Sequence, residues 1–206
     1  MNCASVILCG GEGRRMKQAF DNKALAQYQG RSLLEHALEK QMEGIILLSC
    51  GPKPFSTAIE KELETVIGQL SLEPSLLYDA SKEHYGPLAG ILSALEYCAY
   101  QQLEIDALLV SPVDTPRQTP SLHKQLLKEA ELGNSEPRSD IILAECAGRS
   151  HPLHSLWPLS CLAELKTYLE SGERRVMGFI RQWGYRSVNF DNAESFKNIN
   201  SPEDLL

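Results

Sequence analysis

Short apolar runs of strand length recur along the chain, at residues 5–9, 45–50, 75–78, 107–110, 141–144 and 187–190. Between the early runs the apolar spacing changes. Leu33, Leu34, Ala37 and Leu38, and later Leu88, Ile91, Leu92 and Leu95, return every three or four positions, which is the stripe of an amphipathic helix. Strand alternating with helix predicts a mostly parallel sheet covered on both faces, a three-layer α/β/α fold. After about residue 135 the pattern loosens into a strand to 144, an extended GRSHPLHSLW, helices over 158–169 and 174–182, and a last strand. That order predicts additions at the sheet edge, antiparallel pairing among them. No internal repeat or low-complexity segment interrupts the chain.

A chain of 206 residues without a Gly/Ser tract or long charge block is expected to fold as one domain over 1–206. Its net charge of -7 argues against nucleic acid as a partner, because such binders neutralise many phosphates with lysine and arginine. A small anionic ligand stays open, since one local cluster of positive groups suffices for it. No basic segment precedes the first apolar run, and no apolar stretch nears the ~18 residues of a membrane span. The expectation is a cytoplasmic protein with no membrane partner. Six cysteines lie scattered with no CxxC spacing and are expected as buried free thiols.

In parallel α/β sheets, ligands sit beyond the carboxyl ends of the strands. Three motifs fall there: LCGGEGRRM (8–16), the turn at Asp79, and SPVDTP (111–116), so they are expected to converge on one crevice. The glycine loop lacks the Lys-Ser/Thr of a Walker A motif, and Met16 occupies the third small position of a dinucleotide fingerprint. An anion nest of loop amides beside Arg14 and Arg15 remains, against a tight turn that holds nothing. Lys23 is either a solvated loop lysine or a compact charge for a polyphosphate. Asp114, between Pro112 and Pro116, either closes the strand as an Asx-turn or cap or presents a carboxylate to Mg²⁺. Asp79 carries the same ambiguity, with a ribose or base as a further partner. His151 and His154 sit in an extended segment, where such spacing points side chains to opposite faces. The run from Glu173 to Arg175 reads as a solvated helix start, and Ser201-Pro202 as the capped start of a short helix.

Taken together, LCGGEGRRM with Lys23, Asp79 followed by YGPLAGILSAL, SPVDTP, HPLHSL, GERRVMGFI and FKNINSPEDL resemble the MobA family, over residues 6–205. These are molybdenum cofactor guanylyltransferases with a Rossmann-like nucleotidyltransferase fold. The resemblance implies transfer of GMP from GTP to Mo-molybdopterin with Mg²⁺, releasing pyrophosphate. It also implies protein partners that deliver molybdopterin or accept the product. By resemblance, Leu8, Cys9, Gly10 and Gly11 form the nucleotide-binding loop, and Arg15 and Lys23 serve the phosphates. Asp79 contacts the nucleotide, and Asp114 binds both nucleotide and Mg²⁺. The molybdopterin side is then formed by GRSHP, Arg174, Arg175, Asn198 and Asn200.

Three departures stand out. RMKQAFDNK is longer than the family's usual RMG-G-x-DK and inserts Asn22 between Asp21 and Lys23. Ser49 stands where the family often has asparagine at the end of the second strand. Glu12 brings an acid near the phosphates and is expected to point outward. Related transferases that use CTP or a sugar phosphate are the alternative; Gly10-Gly11, in place of their Ala-Ala-Gly loop, favours guanine. A non-catalytic nucleotide-binding module is a further alternative, because fold alone does not fix function.

Overall fold

The computed structural model describes residues 1–10, 22–41, 44–52, 57–69, 73–79, 86–132 and 140–205. Six strands and four helices fill the first two-thirds of the described chain. They are β1 (Cys3–Leu8), the small hairpin β2 (Gln27–Tyr28) and β3 (Arg31–Ser32), α1 (Leu33–Leu38), β4 (Ile46–Pro52), α2 (Thr57–Gln69), β5 (Ser75–Asp79), α3 (Pro87–Tyr100), β6 (Ala107–Pro112) and α4 (Pro120–Leu132). The remainder is β7 (Ile141–Cys146), β8 (Arg149–Pro158), α5 (Leu162–Glu170), α6 (Val176–Trp183) and β9 (Tyr185–Phe190). The large sheet has seven strands in the order β5-β4-β1-β6-β8-β7-β9. It is parallel except where β8 runs against its two neighbours.

The period of two along each strand divides the core into layers. Ala4, Val6 and Leu8 of β1 pack with Leu88, Ile91 and Leu95 of α3, in a cluster that also holds Leu165 of α5 and Phe179 of α6. Ile7 faces the other way, among Leu33 and Leu34 of α1 and Leu63 of α2. β6 repeats the division, with Leu108 and Val110 in the first layer and Ala107 and Leu109 against Leu122 and Leu126 of α4. Helices α3, α5 and α6 therefore cover one face and α1, α2 and α4 the other. This is why β1 and β6 carry unbroken apolar runs: both of their faces are buried. α1 starts at a capping box, in which Ser32 Oγ accepts from the Glu35 amide while Glu35 accepts from the Ser32 amide.

The extended GRSHPLHSLW segment lies inside the sheet as β8, between β6 and β7, and the edge additions are β7 and β9. Its ladder to β7 is interrupted: Leu143 pairs with Ser155, but Ala144 pairs with His151. Residues 152–154 thus bulge out, at a point where Pro152 has no N–H to donate. Trp157 Nε1 donates to Ser155 Oγ (2.8 Å), which donates to the Pro152 carbonyl (2.7 Å), so the bulge is tied from within. This corrects the expectation of opposite faces for His151 and His154: both rings meet Phe196, at 4.1 and 5.1 Å between centroids. Trp157 itself is fully buried and stacks on Phe179, making it an anchor whose truncation to alanine would cost about 3–5 kcal/mol.

Candidate functional site

The chain runs β1-α1-β4-α2-β5 outward along one side and returns through α3 to β6 on the far side of β1. That reversal leaves an opening at the carboxyl ends of β1 and β6. A crevice of about 290 Å³ occupies it, with Leu8, Asp79 and Pro112 marking the ends of three strands and Ser49 in the carboxyl half of a fourth, β4. Its floor needs glycine for packing reasons. A Cβ on Gly10 would lie 2.6 Å from the Gly51 amide nitrogen, and a Cβ on Gly90 would lie 2.2 Å from Ser49 Oγ. Gly86 enters α3 at φ 60, a backbone region that favours glycine, and is followed by Pro87 at the first helical position. Gly86, Pro87 and Gly90 all line the crevice, so the amino end of α3, with its partial positive charge, faces it.

The amides of Cys9 and Gly10 both donate to the Ser49 carbonyl, at 2.8 and 2.9 Å. These two amides are therefore engaged within the fold and contribute nothing to the expected nest of amides, the rest of which lies outside the described residues. Burial pushes the Cys9 thiol well above its ordinary pKa, keeping it protonated.

Three distant segments meet over this floor. Lys23 Nζ donates to Asp114 Oδ2 at 2.6 Å and to Asn200 Oδ1 at 3.0 Å. Asn22 shapes the approach, its side chain accepting from the Ala24 amide to start the 3-10 turn Lys23–Leu25. The added residue of the longer loop thus has a capping role. Asp114 is held through its carbonyl, which accepts the Ile199 amide at 2.8 Å. Asn200 is held by Asp204, whose carboxylate accepts the Asn200 and Ser201 amides, bonds that keep its pKa low. Ser201 accordingly precedes a single 3-10 turn, Pro202–Leu205.

Two buried histidines support the Asp114 turn from behind. His123 Nε2 lies 2.9 Å from Ser111 Oγ and 2.6 Å from Gln118 Nε2, and His154 Nε2 lies 3.1 Å from Thr115 Oγ1. Burial drives their pKa values down to about 4 and about 3, so both are neutral around pH 7. Lys40 reaches the same turn by donating to the Pro116 carbonyl, and its burial lowers its pKa to about 8.

Residues 5–186 match the MobA-like NTP transferase domain. The chain belongs to the MobA-like NTP transferase family. A molybdenum cofactor guanylyltransferase of Cereibacter sphaeroides is 33% identical to it over 209 residues, covering 100% of this chain and 94% of that protein. Another of that description, from Rhizobium rhizogenes, is 30% identical over 97% of this chain and 88% of its own. Among solved structures, molybdopterin-guanine dinucleotide biosynthesis protein A from Archaeoglobus fulgidus superposes with TM-score 0.72 at 24% identity, over 98% of this chain and 94% of its own. A 4-diphosphocytidyl-2C-methyl-D-erythritol synthase from Anaerococcus prevotii superposes equally well, TM-score 0.72 over 99% and 92% of the two chains, at 12% identity. The last two likenesses establish the fold alone. As a member of this family the chain is a nucleotidyltransferase.

Of the residues expected at the site of this family member, Leu8, Cys9, Gly10, Lys23, Ser49, Asp79, Asp114, Asn198 and Asn200 all line the crevice. Gly11 and Arg15 lie outside the described residues, as do Glu12 and Arg14. Arg174 and Arg175 are not brought to it. Arg174 donates to the carbonyls of Leu169 and Glu173, at 2.6 and 2.7 Å, and Tyr168 Oη donates to the Arg175 carbonyl, so the pair stands at the α5–α6 turn. Gly86, Pro87 and Gly90 had no site role in the sequence, although Gly-Pro ahead of a helical stripe, just past a strand, is a readable helix start. The residues also fit a metal ion. Asp114 Oδ1 is buried with no hydrogen-bond partner among the described residues, an acceptor left open beside an occupied one. Among the described residues no three of His, Cys, Asp and Glu gather into a closed cage, and Mg²⁺ bound through one carboxylate plus phosphates needs none.

Proposed function

We propose that this chain transfers GMP from GTP to Mo-molybdopterin, forming Mo-molybdopterin guanine dinucleotide and pyrophosphate. The observation that carries the reading is the meeting of Lys23, Asp114 and Asn200 above the bare Gly10 backbone. Full-length relatives named for this activity support it. A terminal phosphate oxygen of molybdopterin forms a bond to the α-phosphorus of GTP. The bond from that phosphorus to the oxygen bridging it to the β-phosphate breaks, and its electron pair leaves with pyrophosphate. The acceptor phosphate is already ionised at neutral pH, so no strong base is required.

The chain's own groups supply position and charge. Carbonyls of the Cys9–Gly10 backbone suit the N1–H and N2–H donors of guanine. Asp79 is placed to accept from a ribose or base, and Ser49 seats the loop through its carbonyl. An ammonium carries three donors, and Lys23 has two engaged, leaving one for a phosphate oxygen. Arg15 and Gly11 are assigned to the phosphates and the loop on the family pattern. Mg²⁺ would be held by Asp114, and when bound it neutralises charge on phosphate oxygens. The proteins that deliver molybdopterin or receive the product belong to the same reading.

The test is a titration of GTP, CTP, ATP and UTP with Mg²⁺, coupled to pyrophosphate release with Mo-molybdopterin. GTP is expected to bind about one to two decades more tightly than CTP, the effect of a missing buried hydrogen bond. Equal affinities would remove the guanylyl assignment.

A further inference from the structure

The three segments that bring Lys23, Asp114 and Asn200 together meet a second time a few residues away. Tyr28 lies five residues past Lys23, Arg117 three past Asp114, and Glu194, in the 3-10 turn Ala193–Phe196, six before Asn200. Arg117 Nε donates to Tyr28 Oη at 2.8 Å, and its Nη1 donates to Glu194 Oε2 at 2.6 Å. Its guanidinium carbon also stands 5.6 Å from the centre of the Tyr28 ring, within cation–π range. One planar, forked cation thus joins the turn after Asp114 to both of the other segments.

Resting on the guanylyltransferase reading, we propose that Arg117 is a positioning residue for Lys23: its clamp on Tyr28 and Glu194 keeps the lysine in register with Asp114 and Asn200 while nucleotide phosphates draw on the ammonium. Lys23 cannot hold its own segment while it works. Phosphate oxygens compete for the donors it gives to Asp114 and Asn200, so the tie between its segment and the Asp114 turn weakens as substrate binds. The Asn200 segment has a tie that no ligand competes for, the bond from the Ile199 amide to the Asp114 carbonyl. Among the described residues no backbone bond joins residues 22–32 to the Asp114 turn, and Arg117 supplies the tie instead. The hairpin needs it. Strands β2 and β3 have two residues each, joined through Gln29 and Gly30 at φ 50 and 80, and a ladder that short is marginal by itself. Its fixed point is Tyr28, which is only 5% exposed. The Tyr28 carbonyl accepts from His36 Nε2 at 2.9 Å, and its hydroxyl accepts from Arg117. Ala24 and Ala26 are fully buried, so the stretch from Tyr28 back to Lys23 is packed and shifts as a piece. The Glu194 carboxylate is 64% exposed, and its ion pair is the weaker arm of the clamp.

The test compares wild type with Arg117→Met, which keeps the stem and removes the fork, and Tyr28→Phe, which removes only the hydroxyl. Acetylation of Lys23 by acetic anhydride, read by mass spectrometry against the exposed Lys166, reports directly how firmly the lysine is held. Pyrophosphate release gives kcat and KM for each substrate. Arg117→Met is expected to raise Lys23 labelling severalfold, leave Lys166 unchanged, and lower kcat/KM for GTP about tenfold, the effect of one hydrogen bond to a charged group. Tyr28→Phe should move both readouts the same way by less. In a Lys23→Ala background Arg117→Met should cost nothing further, because the residue through which it acts is gone. Should Arg117→Met fail to fold, Tyr28→Phe decides on the same labelling. Lys23 labelling as in wild type, or an Arg117→Met loss that persists undiminished in the Lys23→Ala background, would overturn the proposal. A wild type that transfers no GMP, with Lys23 labelling that still rises in Arg117→Met, would overturn the guanylyltransferase reading and leave the clamp standing.

Discussion

Lys23 Nζ lies 2.6 Å from Asp114 Oδ2, joining side chains 91 residues apart that are only 12% and 18% exposed. Such shielding keeps the pair effective in salt, and it leaves Asp114 with one occupied oxygen and one open one. Asp114→Asn keeps an acceptor for Lys23 and removes the charge. Its melt should fall by only a few degrees, about 1–2 kcal/mol, while Mg²⁺-dependent turnover drops by at least about 10² to 10³. Pyrophosphate release against Mg²⁺ concentration, alongside the melt, checks this. Near-normal turnover would make Asp114 a turn residue, and failure to fold would make it a structural cap.

Gly90 and Ser49 form a contact with no spare room. A Cβ at residue 90 would meet Ser49 Oγ at 2.2 Å and Ser49 Cβ at 3.0 Å. Gly90→Ala should therefore destabilise the fold by roughly 1–3 kcal/mol and weaken GTP binding, because the Ser49 carbonyl seats the glycine loop. Adding Ser49→Ala removes the shorter clash and should recover part of the loss; Ser49→Gly should recover more. Urea unfolding of the single and double variants measures the coupling, and additive losses would show that the two sites do not meet.

Much of this architecture was legible in the chain. Strands buried on both faces read as continuous apolar runs, which is why β1, β4 and β6 stand out; of the three motifs expected to converge, Leu8 to Gly10, Asp79 and Pro112 to Asp114 line one crevice. The position of β8 was not legible. GRSHPLHSLW reads as extended, but its neighbours are set by pairings across the sheet, and proline usually argues against an interior strand. The bulge resolves that conflict. At the site, local pattern marks Lys23 and Asp114 only as candidates with an alternative each, and the resemblance supplies the roles given to them. The resemblance implies a molybdopterin contact for Asn200, and its bond to Lys23 spans 177 residues that no local spacing connects. His123 and His154 were invisible as supports for the same reason: their partners Ser111 and Thr115 come from another segment.

Those two histidines set an acid limit on stability. Each is ordinarily half-protonated at pH 6.5 when unfolded, but in the fold their pKa values are about 4 and about 3. Between those values and 6.5 the unfolded chain binds more protons, so stability falls as pH drops below 6.5 and is level above it. At pH 5 each histidine should cost about 2 kcal/mol relative to pH 7.5. Urea midpoints for wild type and His154→Gln at the two pH values test this; the variant should lose less on acidification. An equal loss would mean that His154 can take up a proton without disturbing the Asp114 turn.

Asn200 lines the crevice beside Lys23, and its role can be separated by a double-mutant cycle. Its Oδ1 accepts from Lys23 at 3.0 Å, and its own backbone is fixed by Asp204. If this bond aims the third Lys23 donor at the nucleotide phosphates, Asn200→Ala should lower kcat/KM for GTP about tenfold, the cost of one hydrogen bond to a charged group. Lys23→Ala should cost more, because it deletes the charge itself. The decisive comparison is the pair together. Acting through the lysine, Asn200 has nothing left to do once Lys23 is gone, so the double variant should be no worse than Lys23→Ala. A direct role at the acceptor predicts the opposite: the two losses would multiply, and Asn200→Ala would raise the Mo-molybdopterin KM even in the Lys23→Ala background. Steady-state kinetics with each substrate varied in turn distinguish the two. Multiplicative losses would move Asn200 from the nucleotide side of the crevice to the acceptor side.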